Sequence, residues 1–204
     1  MNREALLLVE GKDDERVVDA ITRGTQIHST FEIRWADGFS WITLTLQTAL
    51  RTTGLQRLGV VADADTDLAA RWMSLRNILA SRGYANVPES PDPKGTIIAS
   101  PVPLRPRVGI WLMPDNCLPG MLEDFTALLV PPGDPLFVYA RDCVRGLPHV
   151  RFPRSHIPKA DIHTWLAWQE EPGKPLGTAI TARFLDAALP PAQAFRQWLV
   201  RLFG

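Results

Sequence analysis

The chain is poor in cysteine, in net charge and in long apolar runs. Its two cysteines, Cys117 and Cys143, form no C-x-x-C pair and are too few for a disulfide framework or a self-contained zinc site. That usage suits a reducing cytoplasm. Lysine plus arginine equals aspartate plus glutamate, 22 of each, so the formal net charge is zero. Bulk charge therefore does not announce a nucleic-acid binder, although a basic groove beside an acidic site is compatible with a zero sum. No segment approaches the ~20 apolar residues of a membrane span. The apolar run Ala5–Val9 is far shorter than a signal-peptide core and is followed at once by charge. A cytoplasmic protein without membrane association is the expectation.

The 204 residues suit one domain with a small extension, and a domain of this size buries roughly 70% of its unfolded surface without help from disulfides. Ala5–Val9 and Leu58–Ala62 are wholly apolar runs, as in strands buried on both faces. Phe31–Trp35 alternates apolar and polar. Between these runs come helical stretches. One opens on Asp13-Asp14-Glu15 and stops at Gly24; one spans Trp41–Arg51 with Ser40 as N-cap; one spans Leu68–Arg82 and ends at Gly83. This βαβαβα order predicts a mostly parallel sheet flanked by helices. Residues 87–107 are proline-rich and read as an insertion, with a short strand at Thr96–Ala99; a strand follows at Val108–Met113 and a helix at Met121–Val130. Residues 1–130 are thus expected to form an α/β core. Residues 131–204 are expected to form a helical C-terminal extension packed on it, with helices at Lys159–Glu170, Ala179–Leu185 and Ala192–Phe203.

Carboxylates concentrate at the expected strand ends. Glu10 ends the first strand, where α/β folds place ligand sites, and Asp14 follows four residues later, within reach of the same crevice. The alternative for Asp13–Glu15 is simple capping of a helix N-terminus. Asp63 and Asp65 follow the strand Leu58–Ala62 at alternate positions, so both face one side of an extended chain. Two adjacent carboxylates repel unless a cation sits between them, and hard ions such as Mg²⁺ or Mn²⁺ prefer oxygen ligands of this kind. Asp67 is either a third carboxylate or a helix cap. Asp115 is either a site residue or part of an Asx turn with Asn116. If the strands are parallel, these tips share one edge, as in a metal-dependent phosphoryl-transfer site.

A strand ending in Glu-Gly with an acidic residue shortly after, then a strand ending in Asp-x-Asp, resembles the Toprim domain. That domain is shared by topoisomerases, bacterial primases, small maturation nucleases and nucleases of the overcoming-lysogenization-defect (OLD) family. More narrowly, VEGKDD, VVADADTD, GIWLMPDN, GMLEDF and KADIHTWLAWQE resemble a group of short, stand-alone Toprim-like proteins. The resemblance implies Glu10 as general acid/base or metal ligand, and Asp14, Asp63 and Asp65 as metal ligands. It implies Glu123 and Asp124 as ligands of a second metal and Lys159 as a cation that stabilises transition-state charge.

The function expected from this resemblance is Mg²⁺- or Mn²⁺-dependent hydrolysis of phosphodiester bonds in DNA or RNA. The OLD-type likeness further implies a partner ATPase. The chain contains no G-x-x-x-x-G-K-[ST] loop, so that ATPase would be a separate polypeptide. Primase-type nucleotidyl transfer and a non-catalytic binding module are the alternatives. Topoisomerase action is disfavoured, since only Tyr84 and Tyr139 exist and no gate domain is present. Arg105 and Arg107 are the first candidates for substrate phosphates, followed by Arg141, Arg145, Arg151 and Arg154; ordinary surface charge is the alternative for each. The four histidines lack metal-ligand spacing, and the tryptophans, including Trp165, Trp168 and Trp198, are expected in the core.

Overall fold

A computed structural model describes residues 4–100, 102–103 and 105–204; Met1–Arg3, and Pro101 and Leu104 of the proline-rich segment, lie outside it. The first strand, β1 (Ala5–Val9), is followed by α1 (Lys12–Thr22), β2 (Glu32–Trp35), α2 (Phe39–Ala49), β3 (Arg57–Asp63) and α3 (Leu68–Ser81). Then come β4 (Thr96–Ile98), β5 (Arg107–Met113), α4 (Leu122–Ala127), α5 (Pro135–Arg145), a 3-10 turn at Arg154–His156, α6 (Ile157–Leu166), α7 (Leu176–Thr181) and α8 (Pro190–Phe203).

The strands form one sheet in the order β2-β1-β3-β5-β4. β2, β1, β3 and β5 are parallel, and only the edge strand β4 runs antiparallel. This is the mostly parallel α/β sheet expected from the alternation of elements. Parallel register puts the C-terminal tips of β1 and β3 on one edge, Val9 opposite Val61 and Asp63 opposite Met113.

Strand residues alternate between two apolar layers, as the two-residue period requires. Leu7, Val9, Val61, Trp111 and Met113 face a layer built with α1, α4, α6, α7 and α8. Leu6, Leu8, Val60, Ile110 and Leu112 face a layer built with α2 and α3. Residues beyond 131 contribute Ile162, Trp165, Phe195, Trp198 and Leu202 to the first layer. Gly59 and Gly109 are paired in register and let α8 lie directly on the sheet: a Cβ on Gly109 would stand 2.5 Å from Leu202 Cδ2. The carbonyls at the C-terminal end of α8 accept hydrogen bonds from Arg57 (to Phe203) and Arg107 (to Leu202).

Several local expectations are corrected. α2 begins at Phe39 with Gly38 at its N-cap rather than Ser40. The helix expected at Ala179–Leu185 is α7, three residues earlier at its start. α5 was not anticipated, although Asp134-Pro135 carries its signal: Asp134 accepts from the Leu136 and Phe137 amides and proline occupies the first turn. Trp165 and Trp198 are buried, whereas Trp168 is 38% exposed. Among the described residues, no helix is long and apolar enough to cross a membrane.

Candidate metal centre

The parallel register delivers two carboxylates to one place. Glu10 leaves the tip of β1, and its Oε2 accepts a hydrogen bond at 3.1 Å from the backbone N–H of Asp63 at the tip of β3. Asp63 Oδ1 in turn accepts from the Leu122 amide at 2.9 Å, so the start of α4 is pinned to β3. α1 starts one residue after Gly11, and Asp14 Oδ2 accepts from the Gly11 amide at 3.1 Å. The cleft so formed is lined by Glu10, Asp14, Asp63, Asp65 and Glu123, with Lys12, His156 and Lys159 on its rim. It is formed where α1, α4 and α6 begin, and the positive ends of their backbone dipoles partly offset the negative charge.

Burial and the neighbouring carboxylates both act on these groups. Asp14 is buried, and its pKa is pushed from the ordinary 3.8 to about 7, first by burial and then by Glu10, with a smaller push from Glu123. Asp63 is pushed to about 8 by burial, then by Asp14, Glu10 and Glu123, against the opposing Leu122 hydrogen bond. Glu123 is only 7% exposed and is compensated by Lys159, whose Nζ lies 2.9 Å from its Oε1. That hydrogen bond, opposed by partial desolvation, holds Lys159 above its ordinary value. Asp65 is tied to Arg71 of α3 by an ion pair, and the Arg71 guanidinium stacks over the Phe39 ring at 4.0 Å.

Residues 4–204 match the family described as protein of unknown function (DUF3226). The chain belongs to that family. No curated protein and no solved structure matches it.

In this DUF3226 chain Asp67, Asp115, Asp124, Arg105 and Arg107 do not line the cleft. Asp67 caps α3, its side chain accepting from the Ala70 amide at 2.9 Å. Asp115 closes a turn, Oδ1 accepting from the Cys117 and Leu118 amides at 2.9 Å. Asp124 turns back to the Met121 amide, 2.9 Å from its Oδ2, as Asp14 does at the start of α1. Arg105 and Arg107 lie at the other end of the sheet. Arg107 begins the seven-residue β5, roughly 20 Å along the strand from the acidic edge. Arg105 donates to the Arg82 carbonyl and Arg107 to carbonyls of α8.

His156 and Arg71 were missed by sequence reasoning. His156 lines the cleft three residues before Lys159, a spacing that puts both on one face where a helix begins, so a signal was present. Arg71 lies in the first turn of α3, six residues after Asp65, so their ion pair is a local contact set by the turn between β3 and α3.

The donor set suits a hard divalent cation. It is all oxygen, and Asp14 Oδ1 is buried without a hydrogen-bond partner, an expensive state for a carboxylate unless something compensates it. Among the described residues, no group of three Asp, Glu, His or Cys side chains is already arranged to hold a metal ion.

Proposed function

We propose that the chain is a Toprim-like, Mg²⁺- or Mn²⁺-dependent phosphodiesterase acting on DNA or RNA, working with a separate ATPase subunit. The observation that carries this reading is that Asp14 and Asp63 share one cleft in which burial first, and then the neighbouring carboxylates, raise both pKa values far above the ordinary one. Buried carboxylates crowded in this way repel one another, and a cation relieves that repulsion. Asp14 and Asp63 are the residues that would hold the metal, with Glu123 beside them, after rotation of side chains now engaged by backbone amides. Bound there, the ion would polarise a phosphoryl oxygen and acidify a water molecule.

The chain's own groups then have distinct tasks in this reading. The Glu10 carboxylate takes the proton of the attacking water. The oxygen of that water bonds to phosphorus as the bond to the leaving ester oxygen breaks, and the leaving oxygen takes up a proton from solvent water. Lys159 presents an ammonium, held by Glu123, to the charge that develops on the phosphoryl oxygens. Arg71 keeps Asp65 fixed at the rim.

The test is cleavage of plasmid and RNA by the purified chain with Mg²⁺ or Mn²⁺, beside Glu10→Ala and Asp63→Ala. Loss of cleavage in both variants is expected; cleavage that survives both overturns the site. Copurification of the native complex tests the ATPase partnership, and a complex without ATPase counts against it. One observation favours a second reading, a non-catalytic binding module: among the described residues no three ligands are pre-arranged, and Asp65 is engaged by Arg71. A wild-type protein inert with both metals and with its ATPase supplied would select that reading.

A further inference from the structure

We propose that the α5–α6 helix pair is a binding track for single-stranded nucleic acid leading into the acidic cleft; the direction of travel rests on the phosphodiesterase reading. The first argument is charge. The chain as a whole is neutral, yet α5, α6 and the segment between them, Pro135–Leu166, hold five lysines and arginines against two acidic residues, Asp142 and Asp161. A strand of phosphates would be repelled by the carboxylate cleft alone, so it needs cations beside it, and this stretch supplies them.

The second argument is placement. α6 starts at the cleft, where His156 and Lys159 line the rim, and its ten residues extend about 15 Å away from it. α5 packs against α6 in the opposite sense: Arg145 and Arg141 approach Asp161, Phe137 meets Trp165, and Tyr139 meets Trp168 beyond the far end of α6. From the cleft outward the pair therefore presents Lys159, then Arg145 and Arg141, then the rings of Tyr139 and Trp168. Arg141 and Arg145 stand 3.7 and 3.9 Å from Asp161 Oδ2 with their side chains half-exposed. They balance that buried acid without being consumed by short hydrogen bonds, so their donors remain for phosphate. Arg151 and Arg154 are exposed on the segment that enters the cleft, and among the described residues neither is held in an ion pair.

The third argument selects single strands. Tyr139 is 62% exposed and Trp168 38%, with ring centroids 5.6 Å apart. Aromatic faces at the end of a line of cations stack on unpaired bases, which a duplex keeps inside its own stack. Leu136 and Val138 beside them are also exposed, so the far end of the track is apolar as well as aromatic.

The experiment is fluorescence anisotropy of a labelled oligothymidylate, an oligouridylate and a mixed-sequence duplex with the full chain. Metal is chelated, so binding is read without cleavage. The double charge reversal Arg151→Glu/Arg154→Glu lies outside the helices and should weaken single-strand binding by at least about tenfold. It should also lower the salt dependence of binding by about 0.7 for each phosphate no longer neutralised. Tyr139→Ala, at an exposed position, should weaken it roughly fivefold or more by removing a stacking face, and the duplex should bind more weakly than either single strand. Absence of binding by the wild type, or wild-type binding in both variants, overturns the track. A duplex preferred over single strands and indifferent to Tyr139→Ala overturns its single-strand character. Binding that obeys these expectations without cleavage under any divalent metal removes the nuclease reading and leaves the track standing; cleavage intact with binding indifferent to the substitutions does the reverse.

Discussion

The Glu10 carboxylate accepts the backbone N–H of Asp63 across 53 residues of sequence. That hydrogen bond joins the tips of two parallel strands and brings a side chain of one onto the backbone of the other. It places the two carboxylates in one electrostatic neighbourhood with Asp14 and Glu123, and most of the expected behaviour of the protein follows from that crowding.

A divalent cation bound by the folded state alone must raise its melting temperature. Mg²⁺ or Mn²⁺ at saturating concentration should do so for the wild type, by about 5–10 °C if the concentration exceeds the dissociation constant about a hundredfold, equivalent to ~2.7 kcal/mol. Asp63→Ala should abolish the shift. A scanning fluorimetry titration decides it, and an equal shift in the variant would dismiss Asp63 as a ligand.

Acidity provides an independent check. Asp14 and Asp63 bind protons more tightly when folded, at about 7 and about 8, than at the ordinary 3.8. Between about pH 4 and about pH 8 the folded state therefore carries more protons than the unfolded chain, so metal-free stability falls as pH rises through that window and levels off above it. Metal-free wild type should melt lower at high pH than near pH 5, and Asp14→Asn should reduce that decline. Saturating metal should reduce it too, because binding displaces the protons. A metal-free melting temperature independent of pH across the window would contradict the crowding.

Lys159 balances the buried Glu123 at 2.9 Å. Lys159→Met leaves that carboxylate without its partner, with an expected loss of about 1–3 kcal/mol in urea unfolding. In the proposed reaction the same change lowers kcat more than it raises KM, since the ammonium acts on charge that develops in the transition state. Lys159→Arg should recover part of the rate. A variant with wild-type kcat would confine Lys159 to a structural role.

Asp67 and Asp115 separate ligands from caps. Their side chains are spent on the Ala70 amide and on the Cys117 and Leu118 amides. Asp67→Ala should cost about 1 kcal/mol of stability, as loss of an N-cap does, while leaving metal affinity within about twofold of wild type by calorimetry. A collapse of affinity would return Asp67 to the ligand set.

The sheet itself can be probed away from the site. Gly109→Ala drives a methyl group to within 2.5 Å of Leu202 and should destabilise the protein by about 1–3 kcal/mol by overpacking. Because Gly109 sits mid-strand, activity per folded molecule should be unchanged.

Much of this architecture is legible in the order of residues alone. Ala5–Val9 and Leu58–Ala62 announce buried parallel strands because a strand covered on both faces must be apolar at every position. The acidic residues after them mark the same edge by the direction of the chain. α5 escapes such a reading because its pattern is diluted by an exposed apolar face, and only Asp134-Pro135 marks its start. That the Asp67, Asp115 and Asp124 side chains accept hydrogen bonds from nearby amides is not legible in the sequence, since a carboxylate that caps a turn and one that faces a cleft have the same composition and similar spacing.

By itself, then, the sequence determined the alternation of elements, the parallel core strands and the carboxylates at their tips, because periodicity and burial are local properties that each segment carries alone. Only the tertiary structure decided which carboxylates face one another. It set Glu10 against Asp63, Asp63 against Leu122 and Glu123 against Lys159, and it sent Arg105 and Arg107 to the opposite end of the sheet. The reason is physical: repulsion, ion pairing and desolvation act over a few ångströms of space between residues far apart in the chain, and no reading of spacing along that chain contains those distances.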